Sequence, residues 1–345
     1  MAHFQCNCPF IPPQVLEHLA RVGVDNARLS IQQSKISRRK RADKLVDMKA
    51  FMGAKTRAKA KRQVYDCQNT WEQRVKLVRG EGKPATGDND ADRVYTFAGK
   101  VRDYFNKVLK RNSIDNKGMD LILNVHFGQD YMNAFWDGDE MTFGDGDGEI
   151  FISFTRSLEV VAHELAHGVT QFTADLEYFS QSGALNEHFS DVFGSAITQH
   201  VLKQDAGQAD WLVGDEIMGP ELYGEALRSM QAPGTAYDNK LLGKDPQPAH
   251  MNDYYTGNDD NQGVHINSGI LNRAFYLVAM EIGTDKATLI WYHALRKLWT
   301  TAKFNDAVDV IVDSARILTR QKQVPVGSTQ RVRAAFRDVG LPHLT

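Results

Sequence analysis

Three cysteines in 345 residues are too few, and too unevenly placed, for a disulfide framework: Cys6 and Cys8 crowd one end and Cys67 stands alone. A reducing compartment is therefore permitted. Long apolar runs are missing as well. Stretches such as Ala274 to Met280 fall far short of the roughly 20 residues needed to cross a bilayer, which argues against a membrane anchor. The opening Met1-Ala2-His3-Phe4-Gln5 lacks a basic segment followed by an apolar one, so no secretory signal is read there. On these absences the chain is expected to be cytoplasmic, or to leave the cell by a non-standard route. Internal repeats and long low-complexity tracts are also lacking. A hydrophobic content of 42% gives an ordinary globular chain, long enough for two lobes or one domain with an appendage.

A net charge of -2 conceals two opposed blocks. Residues 1–62 hold 14 Lys/Arg against 4 Asp/Glu, or +10, which leaves -12 for residues 63–345. Such blocks attract each other within one molecule, or the basic one binds nucleic acid or another acidic surface. Docking of the basic block onto the acidic remainder is the favoured reading.

Along the chain, Val15, Leu16, Leu19, Val22, Val24, Leu29 and Ile31 recur at helical spacing after Pro12-Pro13, which predicts one or two short helices within 12–36. A basic run, Ser37 to Arg41, follows, and the second basic stretch, Lys55 to Arg62, reads as an exposed connector within reach of a protease. Strand-like alternation runs from Val64 to Val78, and Tyr95 to Leu109 is helical. Leu121 to Phe127 and Glu149 to Phe154 read as strands. Residues 157–171 form a helix, and helices follow at roughly 184–203, 268–282, 286–301 and 304–319. The expected fold is α+β, with a strand-rich front and a helical back.

The chemistry concentrates in His163-Glu164-Leu165-Ala166-His167. Two imidazoles four residues apart share one helix face and can bind one cation. Downstream, Glu187 and Asp191 lie on one face of a second helix, and Glu187 can complete a two-His, one-carboxylate zinc site with a fourth position left for water. Asn186 and Asp191 are then natural partners for the outer nitrogens of the imidazoles. Glu164, inside the motif but not a ligand, is placed to take a proton from a zinc-bound water and pass it to a departing amine. His188 points elsewhere and reads as structural or solvent-exposed.

Three further blocks make residues 63–345 resemble the thermolysin family of metallopeptidases. Tyr131 to Trp136 followed by Gly144-Asp145-Gly146-Asp147-Gly148 is similar to that family's edge strand for extended substrates, implying Asn133 and the Ala134 carbonyl as substrate contacts. The segment Asp260 to Gly269 resembles the one bearing the catalytic histidine, implying that His265, oriented by Asp260, stabilises the oxyanion together with Tyr178. Leu227-Arg228-Ser229-Met230 matches the segment whose arginine, here Arg228, contacts the carbonyl beyond the scissile bond. Leu227, Val160 and Phe151 would line an apolar pocket for the residue after the cut. The resemblance implies a two-lobed peptidase with the active-site helix between its lobes: residues 51–178 the first lobe, residues 179–345 the second.

The family's calcium ligands carry over only in part. Glu159, Asp210 and Asp215 supply oxygen at ligand positions, whereas Thr198 and Leu212 stand where carboxylates are usual, so one Ca2+ is expected rather than two. The N-terminal segment Pro9-Phe10-Ile11-Pro12-Pro13-Gln14-Val15-Leu16 resembles the short propeptides of protealysin-type precursors, with Gln14 interrupting the pattern of Pro-Pro and an apolar residue. That similarity implies a small helical propeptide, residues 1–50 with its boundary within 42–62, docked on the catalytic cleft. Cys6 or Cys8 is a candidate fourth zinc ligand in such a latent form. Protein or peptide substrates are the expected partners, with neither membrane nor nucleic acid among them.

Overall fold

A computed structural model describes residues 8–48, 57 and 59–342, with the side chains of residue 38 and residues 41–48 left aside. Its first element is a short strand, β1 (Cys8–Pro9), followed by α1 (Pro13–Arg21) and α2 (Asp25–Met48). Pro13 opens α1 where a missing N–H costs nothing, and Val15, Leu16 and Leu19 form its buried face. α2 is longer than the apolar spacing predicts and carries the basic run Ser37 to Arg41 within it. Lys and Arg are good helix formers, and the buried face of α2 is a stripe of small residues, Ala27, Ser30, Ser34 and Ser37. Ser30 Oγ accepts the Met132 N–H at 3.0 Å, and the Ser34 hydroxyl lies 3.0 Å from that of Tyr131. Among the described residues one exposed ion pair, Lys40–Glu72 at 3.3 Å, ties α2 to the acidic part of the chain. Packing and these hydroxyl hydrogen bonds hold the described part of α2, and the exposed ion pair adds little.

Part of the expected connector, residues 55, 56 and 58, lies outside the described residues. The exposed stretch ends by Ala60, which is buried, and Arg62 opens β2 (Arg62–Asp66) clamped by Glu81 and Tyr95. The first lobe continues with β3 (Lys76–Gly80), α3 (Asn89–Lys107), β4 (Leu121–Val125), β5 (Ala134–Trp136) and β6 (Met141–Phe143). These strands and β1 form one six-stranded sheet in the order β1-β5-β6-β4-β2-β3, with β1 antiparallel on the edge of β5. Glu149 to Phe154 is not a strand. Asp147 Oδ1 accepts the N–H groups of Glu149, Ile150 and Phe151, which removes the donors a ladder needs, and only a single bridge from Phe151 to Met218 remains.

α4 (Leu158–Gln171) is capped by Ser157, whose hydroxyl accepts the Val160 N–H, and it is buried almost all round. It packs against α5 (Ser180–Leu202). Gly194 permits the close approach: a Cβ there would lie 3.2 Å from the Glu159 backbone oxygen. A two-stranded ribbon, β7 (Leu212–Val213) with β8 (Arg228–Ser229), follows. The helical lobe is completed by α6 (Asp259–Ile282), α7 (Thr284–Leu295), α8 (Phe304–Arg320) and α9 (Ser328–Asp338). α7 stops six residues before the expected end. α9, whose arginines mask a buried face of Val332, Ala335 and Phe336, went unpredicted.

His126, just after β4, bridges Asp145 in the glycine run and Asp88 at the N-cap of α3, at 2.9 Å from each. The hydrogen bond to Asp145 outweighs partial burial, Asp88 adds to it, and the imidazole is held up to about 10. A folded pKa raised above the unfolded value of about 6.5 stabilises fully below that value and is lost as pH rises toward 10. The thermal midpoint is expected to fall between pH 7 and 10 by the equivalent of about 1 kcal/mol, and His126→Gln to flatten that fall. Equal slopes in calorimetry across this range would refute the assignment.

Candidate active site

α4 projects His163 and His167 to one side, their Nε2 atoms 3.0 Å apart. α5, antiparallel beside it, brings Glu187 to 3.5 Å from both nitrogens. Each imidazole is fixed from behind: His163 Nδ1 lies 2.9 Å from Asp191 Oδ1, and His167 Nδ1 lies 2.9 Å from Asn186 Oδ1. With Nδ1 protonated toward these oxygens, both Nε2 lone pairs face Glu187. Asp191 is held in turn by Arg228, through Nε at 3.0 Å and Nη2 at 2.9 Å, and by the Asn272 amide at 2.8 Å.

Glu164 turns toward the sheet. Its Oε2 accepts the Trp136 N–H at 2.9 Å, while Oε1 is buried without a partner, as is Glu187 Oε2. From the far side α6 brings His265, whose Nδ1 sits 2.6 Å from Asp260 Oδ1, and Asp260 Oδ2 accepts the His265 N–H at 2.7 Å. That grip depends on unusual backbone. Asp260, Asn261, Gln262 and Gly263 all take left-handed dihedrals, with φ from 51° to 77°, and for a non-glycine residue each costs about 1–2 kcal/mol. Tyr178, from the turn between α4 and α5, places its hydroxyl against Glu187 and 3.1 Å from His265 Nε2.

The electrostatics suit a cation. Burial opposes charge on His163, yet Asp191 and Glu187 raise it to about 9. Burial, with His163 beside it, pushes His167 down to about 3. Glu187 and Asp191 are held below the usual carboxylate range despite burial, Glu187 chiefly by His265 and His167 and Asp191 by Arg228. Burial lifts Glu164 to about 8 and Tyr178 well above 10, so the tyrosine stays a neutral donor. Two imidazoles and a carboxylate with an unpartnered buried oxygen form the borderline-soft donor set that fits zinc.

β1 fills the cleft in front of this cluster. Cys8 pairs with Trp136 and Pro9 with Phe135. The Phe10 N–H donates to the Ala134 carbonyl at 3.0 Å, and the Ile11 N–H to Asn133 Oδ1 at 2.9 Å. The Pro9 carbonyl lies 3.1 Å from His265 Nε2. The Phe10 ring stands edge-on to His163 at 5.1 Å and under the Arg228 guanidinium at 5.1 Å. A Cβ on Gly214 would come within 2.9 Å of Leu227 and 3.1 Å of Phe10, so the ring and Leu227 share the floor of one pocket. Val160 and Phe151 are buried in the same core. Phe10 and Ile11, quoted in the sequence only as part of a marker, are thus the residues that occupy the predicted substrate contacts.

Other expectations resolve differently. Cys8 lies with His167 and Glu187 in a group whose ligand atoms are all within 4.8 Å, but it is disulfide-bonded, so its sulfur is not a thiolate. Cys6 lies outside the described residues. His188 takes the structural of its two readings: it is fully buried, held by Asn272 at 2.7 Å and by the Trp291 indole N–H at 2.7 Å. Gln14 is half-buried and its Oε1 has no hydrogen-bond partner. Glu159, Asp210 and Asp215 line a cavity of about 80 Å³ with Thr198 and Gln199. Burial first, then Asp215, Asp191 and Asp210, drives the Glu159 carboxyl well above its ordinary value.

A histidine pair and a carboxylate on two packed helices, a second carboxylate aimed at the same space, and an edge strand receiving extended backbone together define a metal-dependent hydrolase of peptides. Residues 26–171 match the family model described as thermolysin metallopeptidase, catalytic domain, and residues 174–341 match the thermolysin metallopeptidase alpha-helical domain. The chain belongs to the thermolysin family of metallopeptidases. It is 47% identical to an extracellular metalloprotease of Pectobacterium carotovorum subsp. carotovorum over 298 residues, 84% of either chain. It is 38% identical to a thermolysin of Alicyclobacillus acidocaldarius, over 79% of this chain and 50% of that one. The solved precursor of protealysin from Serratia proteamaculans is similar with a TM-score of 0.86 and 42% identity, covering 97% of this chain and 99% of that one.

Proposed function

We propose that this chain is the latent form of a zinc endopeptidase, whose residues 1–50, with the boundary within 42–62, are a propeptide occupying the cleft later given to substrate. The Phe10 N–H on the Ala134 carbonyl, with the Pro9 carbonyl at His265, carries this reading, because the segment makes the contacts an extended substrate needs. His163, His167 and Glu187 would hold zinc, with Asn186 and Asp191 orienting the imidazoles. When bound, zinc acidifies its water and polarises the substrate carbonyl.

The rest falls to side chains. Glu164 takes the proton of the attacking water and delivers it to the leaving nitrogen; burial and the Trp136 N–H fix its orientation. His265, steered by Asp260, and Tyr178 donate to the oxygen on which negative charge develops. Asn133 and Ala134 hold the substrate backbone. Arg228 uses Nε and Nη2 on Asp191, and its buried Nη1, without a partner, meets the carbonyl after the cut. Leu227, Val160 and Phe151 select an apolar residue at that position. The Pectobacterium relative is named an extracellular metalloprotease, and export is the reading that fits this chain too.

Glu159, Asp210 and Asp215 are proposed to take one calcium ion, whose charge would offset the burial and neighbouring carboxylates that raise the Glu159 carboxyl. Millimolar calcium should then raise the thermal midpoint of the wild type and leave that of Glu159→Gln unmoved; no shift in either protein would dismiss the site. For the catalytic assignment, processed Glu164→Gln is expected to retain one zinc per chain by elemental analysis while kcat drops on the order of 10³-fold. Activity within tenfold of wild type, or wild-type activity that survives zinc removal by 1,10-phenanthroline, would refute it.

A further inference from the structure

The segment in the cleft runs in one direction, and that direction can be read from its hydrogen bonds. The residue whose N–H reaches the Ala134 carbonyl, Phe10, also puts its side chain on Leu227 and His163. The next N–H, that of Ile11, reaches Asn133 Oδ1 at 2.9 Å, and the Asn133 amide returns a hydrogen bond to the Ile11 carbonyl at 3.3 Å. The preceding carbonyl, that of Pro9, faces His265 Nε2 at 3.1 Å, and the Tyr178 hydroxyl, which donates to Glu187, lies 3.1 Å from the same nitrogen. Glu164 is pinned by the N–H of Trp136, the residue opposite Cys8, and keeps Oε1 buried and unpartnered. The Pro9 carbonyl on His265, the Phe10 N–H on Ala134 and the Ile11 N–H on Asn133 therefore stand in the order that a substrate cut at Pro9–Phe10 would present.

We propose that the chain hydrolyses its own Pro9–Phe10 bond, so that the latent cleft is occupied by a slow substrate rather than an inert plug. The proposal rests on the catalytic reading given above. One water molecule is consumed: its oxygen bonds to the Pro9 carbonyl carbon, the Pro9–Phe10 C–N bond breaks, and the proton received by Glu164 passes to the Phe10 nitrogen. The products are residues 1–9 ending in a carboxyl group and a chain beginning with the Phe10 amine. Slowness has a local cause. Two of the catalytic groups are engaged elsewhere or idle: the Tyr178 hydroxyl donates to Glu187, and Arg228 Nη1 has no partner.

Clipping would also weaken latency. The new Phe10 ammonium would be buried on the Ala134 carbonyl, where a charge with so little solvation is costly. The contacts of Ile11 with Asn133, the buried face of α1 and the contacts of α2 with Tyr131 and Met132 would then carry the remaining attachment.

The test follows intact mass and N-terminal sequence over time for the full chain loaded with zinc, beside Glu164→Gln. A species beginning at Phe10 is expected in the wild type, at a first-order rate unchanged by tenfold dilution. It should be absent in Glu164→Gln. The inference is overturned if processed enzyme cleaves a short peptide in a chelator-sensitive way yet a Phe10 terminus never forms. It is equally overturned if that terminus forms in Glu164→Gln, or at a rate proportional to concentration. Loss of peptide cleavage as well as of the Phe10 terminus would instead remove the catalytic reading beneath it.

Discussion

The edge of β5 is the constraint on which the latent molecule depends. An unpaired edge strand presents backbone donors and acceptors that seek a partner, and the catalytic cleft needs that edge free to bind any extended peptide. β1 satisfies it with the chain's own backbone, and α1 and α2 are arranged around that pairing. α1 follows directly on Pro12, and α2 lays its small serines against Tyr131 and Met132, the residues just before the edge strand. The fit of Phe10 between Leu227 and His163 then sets the register, since a one-residue slip would turn its ring away from the pocket.

Behind the edge, the chemistry is maintained by burial of charge in matched sets. Arg228 neutralises Asp191, which orients His163; Asp260 does the same for His265 at the expense of four left-handed residues. Neither arrangement serves the core alone, because a buried ion pair seldom stabilises more than apolar packing would. The strain at Asp260 to Gly263 and the unpartnered oxygens of Glu164 and Glu187 sit where positive charge and a reacting carbonyl are to be received.

Much of this site was legible because its motifs are local. Two histidines four apart on a helix meet through backbone geometry alone, whereas Asp260 and His265 were paired only through the resemblance, since four left-handed residues bring them together. Glu187 needed a second helix, and its spacing to Asp191 marked the face. What stayed hidden depends on distant contacts or on competition for donors. Nothing near Phe10 announces that its pocket is formed by residues about 150 to 220 positions away, and Arg228 could not be paired with Asp191 without the fold. Glu149 to Phe154 reads as a strand until Asp147 takes its N–H groups. α2 outran its apolar pattern because its buried side chains are serines.

The central claim is that residues 8–11 occupy the cleft as a substrate would. The most direct measurement is inhibition of the processed enzyme by a synthetic peptide spanning residues 8–16, against a short peptide substrate at several concentrations. The account predicts competitive inhibition that Phe10→Asp in the peptide weakens by at least tenfold, the loss expected when a charge replaces an apolar side chain in a buried pocket. Inhibition that is non-competitive, or indifferent to Phe10, would contradict it.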